Sequence, residues 1–194
     1  MMKKVFKMPN PVKITGMTSS ITKSFVNGVI PVIKPTEQEI AEALETLGMT
    51  EDTVCCAYCG DKYTEWDHFH PLVENKKPTG YISEIHNLVP ACGKCNQSKG
   101  NKDWREWMFG NAKLSPKTRD IKDIKERASR LEEYEKKYTP VWIDIIKIVG
   151  EDRWKKHLDN CERIHRLMTE SQKISDDIKK ILSQYICEQG VTSE

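Results

Sequence analysis

The sequence predicts an α+β fold, in which a short segment rich in cysteine and histidine lies between mainly helical flanks. Residues 55–102 hold five of the seven cysteines and three of the five histidines of the chain. On both sides of this segment, apolar residues recur at the three- and four-residue spacing of helices that bury one face. These changes in composition divide the chain into residues 1–54, 55–112 and 113–194.

The first segment combines a basic arm with an acidic helix. Residues 1–34 contain six lysines, three prolines and no Asp or Glu, which predicts an extended arm. Such an arm can lie along phosphates or be an ordinary solvated terminus, and its composition alone favours the second. Thr36 and Glu39 have the spacing of a capping box, and apolar residues such as Leu44 follow at helical spacing as far as Gly48. We expect this helix to pack beside the central segment.

The third segment, residues 113–194, is charged and helical. Ser115 followed by Pro116 is typical of a helix start, and apolar faces continue along the rest of the segment. Cys161 and Cys187 lie on such faces and are expected to be core residues. The apolar faces also suit a twofold homodimer, and the C-terminal helices are candidates for recognition of a binding partner.

Composition excludes several classes of protein. The net charge of +2 does not by itself indicate a nucleic-acid partner. No apolar run approaches the roughly 20 residues that cross a bilayer. The N-terminal lysines are not followed by the apolar region of a secretory signal. We therefore expect a cytoplasmic protein without a membrane partner, whose cysteines are metal ligands rather than disulfides.

Two C-x-x-C pairs predict a structural zinc site. Cys56 and Cys59 form one pair, Cys92 and Cys95 form the other, and 32 residues separate them. Two residues between the cysteines of a pair allow both thiolates to bind one ion, and two pairs complete a closed tetrahedral site. The alternative is two unrelated redox or incidental pairs. Cys55 is expected to be a bystander.

Four short motifs follow one another around these pairs, namely CAYCG (56–60), DHFHP (67–71), HNLVPAC (86–92) and CGKCNQSKG (92–100). In this order they resemble the HNH endonuclease family, whose pattern is C-x-x-C-G, D-H-x-x-P, N-L and C-x-x-C-[HN]-x-x-K-G. The resemblance covers about residues 56–102, a quarter of the chain. It implies a zinc-stapled ββα-metal module that hydrolyses phosphodiester bonds in DNA, which we expect to be double-stranded.

The resemblance assigns roles to four residues. His68 suits a general base, because imidazole titrates near neutral pH. Asp67 would project from the opposite face of an extended strand, and the resemblance implies that it binds a metal there. Asn96 replaces the last histidine of the family pattern and would complete a site for Mg²⁺ or Mn²⁺. Asn87 would hold the loop that carries His68.

The same four residues also have structural explanations. Asp67 fits a surface carboxylate, His68 a satisfied strand histidine, Asn87 a turn cap and Asn96 a helix cap. Their joint occurrence in the order of the family favours catalysis. His86 and His70 are not required by the pattern, and each fits a structural role. Residues expected to contact nucleic acid are His70, Lys94, Lys99, Lys102 and Arg105.

Two functions remain open at this point. The first is a metal-dependent endonuclease, in which specificity lies in the flanks, as in small restriction-type, phage or mobile-element nucleases of a bacterial setting. The alternative is a non-catalytic, zinc-stapled module that binds nucleic acid. A purely structural helical protein would explain the last segment but not the centre.

Overall fold

The structure, a computed structural model, describes residues 9–75 and 77–190. The lysines at positions 3, 4 and 7 of the predicted basic arm lie outside these residues. Helices and small antiparallel sheets follow one another along the chain, as expected for an α+β protein. In chain order they are α1 (Thr18–Asn27), α2 (Glu37–Thr46), β1 (Glu65–His68), β2 (Val73–Glu74), β3 (Lys77–Pro78), β4 (Leu88–Ala91), α3 (Gly93–Lys99), α4 (Trp104–Phe109), α5 (Ile124–Lys137), α6 (Ile145–Val149) and α7 (Glu151–Glu188).

The chain separates into two compact units. Of the described residues, 9–25 and 149–190 belong to one unit, and those between 26 and 148 belong to the other. The central cysteine-rich segment lies within the second unit. The three-part division by composition stays a prediction about domains.

The centre of the larger unit is a two-stranded ribbon followed by a helix. Strands β1 and β4 pair antiparallel, with Asp67 opposite Val89 and His68 opposite Leu88. Only Cys92 separates β4 from α3. Between the two strands, the chain forms the β2–β3 hairpin and a short 3-10 helix, Ile85–Asn87. The predicted arrangement of ribbon and helix is therefore confirmed.

Helices on either side of the ribbon supply its core. In α2, Ala43 and Leu44 are buried, and Leu131 of α5 and Trp107 of α4 join the same cluster as the four cysteines. Trp107 is 2% exposed and is therefore a core residue. The core therefore depends on residues well outside the cysteine-rich segment.

The N-terminal end of α2 has the predicted capping box. Thr36 Oγ1 accepts a hydrogen bond from the backbone N–H of Glu39 at 3.2 Å, and the Thr36 N–H donates to Glu39 Oε2 at 2.7 Å. These bonds satisfy two donors that the first helical turn cannot use internally.

The smaller unit contains a 3-10 helix (Ile14–Met17), α1 and α7. The prediction of an extended arm is wrong over these residues, which are helical. No proline occurs between positions 12 and 30, and contacts with α7 stabilise the helical turns. The N–H of Ile14 donates to Gln172 Oε1 at 2.7 Å, and Thr22 Oγ1 lies 3.4 Å from His165 Nε2.

Two predictions in the last segment are also wrong. The residues after Ser115 form turns, and α5 begins only at Ile124. Leu114 and Asp120 have φ of 66° and 55°, which a right-handed helix cannot contain. Cys187 is exposed near the end of α7, whereas Cys161 is buried as expected.

Among the described residues, no helix is both long enough and apolar enough to span a bilayer.

Candidate metal centre and active site

The four cysteines of the two C-x-x-C pairs meet at one point. Their sulfur atoms all lie within 4.8 Å of one another, and all four residues are buried. Cys59 Sγ and Cys92 Sγ are 3.7 Å apart. A tetrahedral zinc ion with Zn–S bonds of about 2.3 Å separates its sulfurs by about 3.8 Å. The donor set and its spacing therefore fit a closed zinc site.

A tight turn places the first pair. The N–H of Gly60 donates to Cys56 O at 2.8 Å, and the N–H of Cys56 donates to Asp61 O at 2.7 Å. Gly60 has a φ of 79°, a left-handed conformation that glycine adopts without strain. The second pair belongs to the start of α3, where Cys92 is the N-terminal capping residue and Cys95 lies in the first turn.

Two arginines that the sequence reasoning missed surround this centre. Arg119 Nη2 lies 2.8 Å from Cys95 Sγ, and Arg127 Nη1 donates to Cys56 O at 3.3 Å. Four thiolates around one divalent ion leave a net charge of −2, which guanidinium groups offset. Both arginines follow Cys95, the last cysteine of the cluster, by more than 20 residues, so no local sequence pattern links them to the cluster. Cys55 stays outside the cluster, 3.9 Å from Arg127.

Asp67 of β1 is buried in an ion pair. Its Oδ2 atom lies 3.1 Å from Lys99 Nζ and accepts a hydrogen bond from the Tyr58 hydroxyl at 2.8 Å. Burial raises the pKa of the Asp67 carboxyl, and the charge of Lys99 opposes that rise. Both contacts use Oδ2, so neither of them occupies Oδ1.

Lys99 lies elsewhere than predicted. Its side chain is 0% exposed, and besides Asp67 it donates to His68 O at 2.7 Å. This placement differs from the expected phosphate contact, because a fully buried ammonium group has no surface to offer to DNA. The side chain instead joins α3 to β1. Sequence reasoning had no means of telling this lysine from its exposed neighbours.

The ion pair also locates Asn96 relative to β1. Asn96 precedes Lys99 by three residues on α3, so the two side chains share one side of the helix. Lys99 reaches Asp67 from that side. The Asn96 side chain is half-buried. An asparagine oxygen and a carboxylate oxygen are donors that Mg²⁺ and Mn²⁺ prefer.

His68 follows Asp67 on β1, and its ring points to a different neighbour. Its Nε2 atom lies 2.7 Å from Ser83 Oγ, a contact that the sequence did not indicate. Burial, and then the charge of Lys99, lower the pKa of His68 to about 4. The half-buried imidazole is therefore neutral near pH 7.

Asn87 is fully buried and bonds only to backbone groups. Its Oδ1 accepts from the N–H of His70 at 2.8 Å, and its Nδ2 donates to His70 O and to Ile82 O, each at 3.2 Å. These bonds connect the loop after β1 to the residue before Ser83. Asn87 was predicted to hold the loop that carries His68. These contacts suit that role, which stays a prediction.

The other residues expected to contact DNA differ from Lys99 in exposure. Lys94 is 65% exposed and lies 4.0 Å from Asp61. Lys102 is exposed, and its Nζ donates to Ser98 O at 2.9 Å. Arg105 is already paired, since its Nη1 lies 2.6 Å from Glu132 Oε1. All three are exposed, and each already has a partner within the protein.

Two further histidines have structural neighbours. The His70 ring stacks on Tyr81 with centroids 4.7 Å apart, and its Nε2 lies 3.5 Å from Glu135 Oε1. The His86 ring stacks in the same way on Tyr138, at 4.5 Å. These contacts favour the structural alternative for both rings.

The sequence was compared with known families, curated proteins and solved structures. The family described as HNH endonuclease matches residues 56–102. Over these residues, about a quarter of the chain, the sequence is similar to the HNH endonuclease domain. CRISPR-associated endonuclease Cas9 of Corynebacterium diphtheriae is 41% identical over 56 residues, which are 27% of this chain and 5% of that protein. The chain thus corresponds to one small part of this relative. No solved structure matches the chain significantly.

The zinc centre of the HNH domain predicts one tightly bound zinc ion per chain. Cys92→Ser removes one of the four sulfurs, so we expect it to lose the ion and the cooperative melting of residues 26–148, since structural zinc sites of small modules supply much of their folding free energy. Metal analysis and calorimetry measure both effects. Cys187→Ser, which changes an exposed cysteine, should keep the zinc. A Cys92→Ser protein with full zinc content would contradict this assignment.

The buried ion pair predicts a large effect of Lys99→Met. Removing the ammonium leaves the Asp67 carboxylate buried without its partner, and we expect the free energy of unfolding to fall by about 3 kcal/mol. Lys94→Met, at an exposed position, should change it by less than about 0.5 kcal/mol. Adding Asp67→Asn to Lys99→Met should recover part of the loss. Equal stability of the two lysine variants in urea titrations would show that the pair does not form.

Proposed function

We propose that this protein is a metal-dependent endonuclease that hydrolyses phosphodiester bonds in DNA. The observation that carries the proposal is the arrangement of β1 and α3 within the HNH domain. One strand carries Asp67, which faces α3, and His68, whose half-exposed ring is hydrogen-bonded through a single nitrogen. A carboxylate and an imidazole are thereby carried by consecutive residues of one strand, and Asn96 lies on the side of α3 from which Lys99 reaches Asp67.

His68 is the proposed general base. Its Nε2 atom faces Ser83, so Nδ1 is the nitrogen that can take a proton from an attacking water. Asn87 holds the backbone of His70, two residues after His68, through both polar atoms of its side chain. In this proposal Asn87 keeps His68 in place and does not itself react.

Asp67 and Asn96 are the proposed ligands of a Mg²⁺ or Mn²⁺ ion. Such an ion neutralises charge at the scissile phosphate and stabilises the leaving oxygen. Asp67 would bind through Oδ1, because Oδ2 is held by Lys99 and Tyr58. The four cysteines supply only sulfur and close their own site, so the zinc they suit would stabilise the fold without taking part in hydrolysis.

Double-stranded DNA is the proposed substrate. Lys94 in α3 and Lys102 just after it are exposed lysines that can contact phosphates on either side of the cleaved bond. Phosphate contacts orient a protein on DNA without reading its sequence. Selectivity would then come from the flanks, as in a small restriction-type, phage or mobile-element nuclease acting in the cytoplasm of a bacterial cell.

We further propose that two copies of the chain associate through α7. Every residue of α7 from position 176 onward is exposed. Ile174, Ile178, Ile181 and Tyr185 repeat at spacings of four, three and four, which is the heptad spacing of helices that pair. An isolated helical end with such a stripe is marginally stable in water. A second copy offers the same stripe, and a twofold dimer supplies two active sites for the two DNA strands.

The dimer is tested by placing a charge in the stripe. Ile178→Asp should convert a dimer to a monomer in sedimentation experiments, raising the dissociation constant at least roughly 10-fold. Ser183→Asp adds the same charge on the opposite side of α7 and should leave the dimer intact. On plasmid DNA, the monomeric variant should nick where the wild type linearises. A wild type that sediments as a monomer at all concentrations would rule out this interface.

Cleavage itself is tested on supercoiled plasmid, with and without Mg²⁺. His68→Ala should slow cleavage by about 10² to 10⁴, the usual contribution of a general base, while keeping its zinc. His165→Ala, which removes a histidine far along the chain, is the matched control and should cut at the wild-type rate. DNA binding without cleavage by the wild type, in Mg²⁺ and in Mn²⁺, would overturn the proposal and support the non-catalytic zinc-stapled module.

A further inference from the structure

We propose that Ser83 is a positioning residue that orients the His68 ring for proton transfer. This inference rests on the endonuclease function proposed above. No other hydroxyl in the described residues lies within hydrogen-bonding distance of a His68 ring nitrogen, and the Ser83 Oγ to His68 Nε2 distance is 2.7 Å. Ser83 lies outside all four HNH motifs, in the connection between β3 and β4, so neither its spacing nor its neighbours in the sequence indicate this contact.

The backbone of Ser83 is held on both sides. Its N–H donates to Pro31 O at 3.1 Å, and its carbonyl accepts from the N–H of Ile33 at 2.8 Å. The neighbouring carbonyl of Ile82 accepts from the buried Asn87 side chain. Ser83 therefore has a fixed place relative to β1, as a residue that orients a ring must have.

The chemistry of the contact suits a base. A serine hydroxyl can accept a hydrogen bond as well as donate one. When His68 carries its proton on Nε2, that N–H donates to Ser83 Oγ and leaves the Nδ1 lone pair for a water molecule. After Nδ1 has taken a proton from this water, the imidazolium still donates from Nε2 to the same oxygen. The contact can thus persist through the transfer, and the ring need not rotate.

The positioning role makes a specific kinetic prediction. Ser83→Ala should lower the maximal single-turnover rate of DNA cleavage roughly 10-fold. This is the lower end of the range found when a residue that orients a functional side chain is mutated. The DNA concentration that gives half the maximal rate should change by less than about two-fold, since Ser83 would not contact DNA. Ser83→Thr keeps the hydroxyl and should recover most of the rate.

A double variant separates positioning from a general structural effect. If Ser83 acts through His68, Ser83→Ala should cause no further loss in a His68→Ala background. Thr22→Val is the matched control, since it removes a hydroxyl that lies 3.4 Å from the ring of His165 instead. It should leave cleavage unchanged. Zinc content and melting temperature are measured for every variant, and Ser83→Cys replaces Ser83→Ala should the latter lose zinc.

The outcomes are distinct. Wild-type protein that cuts no DNA would overturn the proposed function itself. A wild type that cuts, together with Ser83→Ala at an unchanged rate, would overturn the positioning role alone. The same holds if Ser83→Ala slows the residual activity of His68→Ala by the factor seen in the wild type, because the serine would then act independently of the ring.

Discussion

The cluster of four cysteines is the constraint on which the rest of the larger unit depends. Strand β1 has four residues, and α3 has seven, so neither element is stable alone. One cysteine pair precedes β1 and the other follows β4, 32 residues apart in the sequence, and their four sulfur atoms meet at one point that fits a zinc ion. Joining the two pairs fixes the start of α3 against the tight turn that contains Cys56 and Cys59. The positions of Asn96 and Lys99 relative to β1 depend on that connection.

A second set of contacts carries this constraint to the reactive residues. Lys99, at the end of α3, reaches the Asp67 carboxylate and the His68 carbonyl, so one buried ammonium group connects helix and strand. Such a pair does not need to add stability, because desolvation of two charges offsets their attraction. It does specify one geometry, since any other leaves a charge buried alone. The four-cysteine cluster lies at the start of α3 and the ion pair at its end, so contacts hold the helix at both ends.

The sequence was most informative where chemistry needs fixed spacing. The capping box predicted the start of α2 because its two residues are three positions apart, and the two cysteine pairs predicted the metal cluster because each pair has a recognisable spacing and two such pairs complete one tetrahedral site. The sequence failed where a distant partner has no such local spacing to mark it. Nothing near Lys99 indicated that it is buried, since the carboxylate that holds it lies 32 residues earlier. Helix α1 was missed because the prolines on both sides of it favoured an extended chain, although none lies between positions 12 and 30.

The residues that complete the candidate site lie beyond the 47 residues of the HNH match. Pro31 and Ile33 hold Ser83, and the Tyr134 hydroxyl of α5 donates to Ile85 O at 2.7 Å just before β4. Arg119 approaches the zinc centre from the connection between α4 and α5. A domain of this size buries too little apolar surface to hold its own loops. The family pattern therefore identifies the chemistry, whereas the unit that positions the chemistry is the whole of residues 26–148.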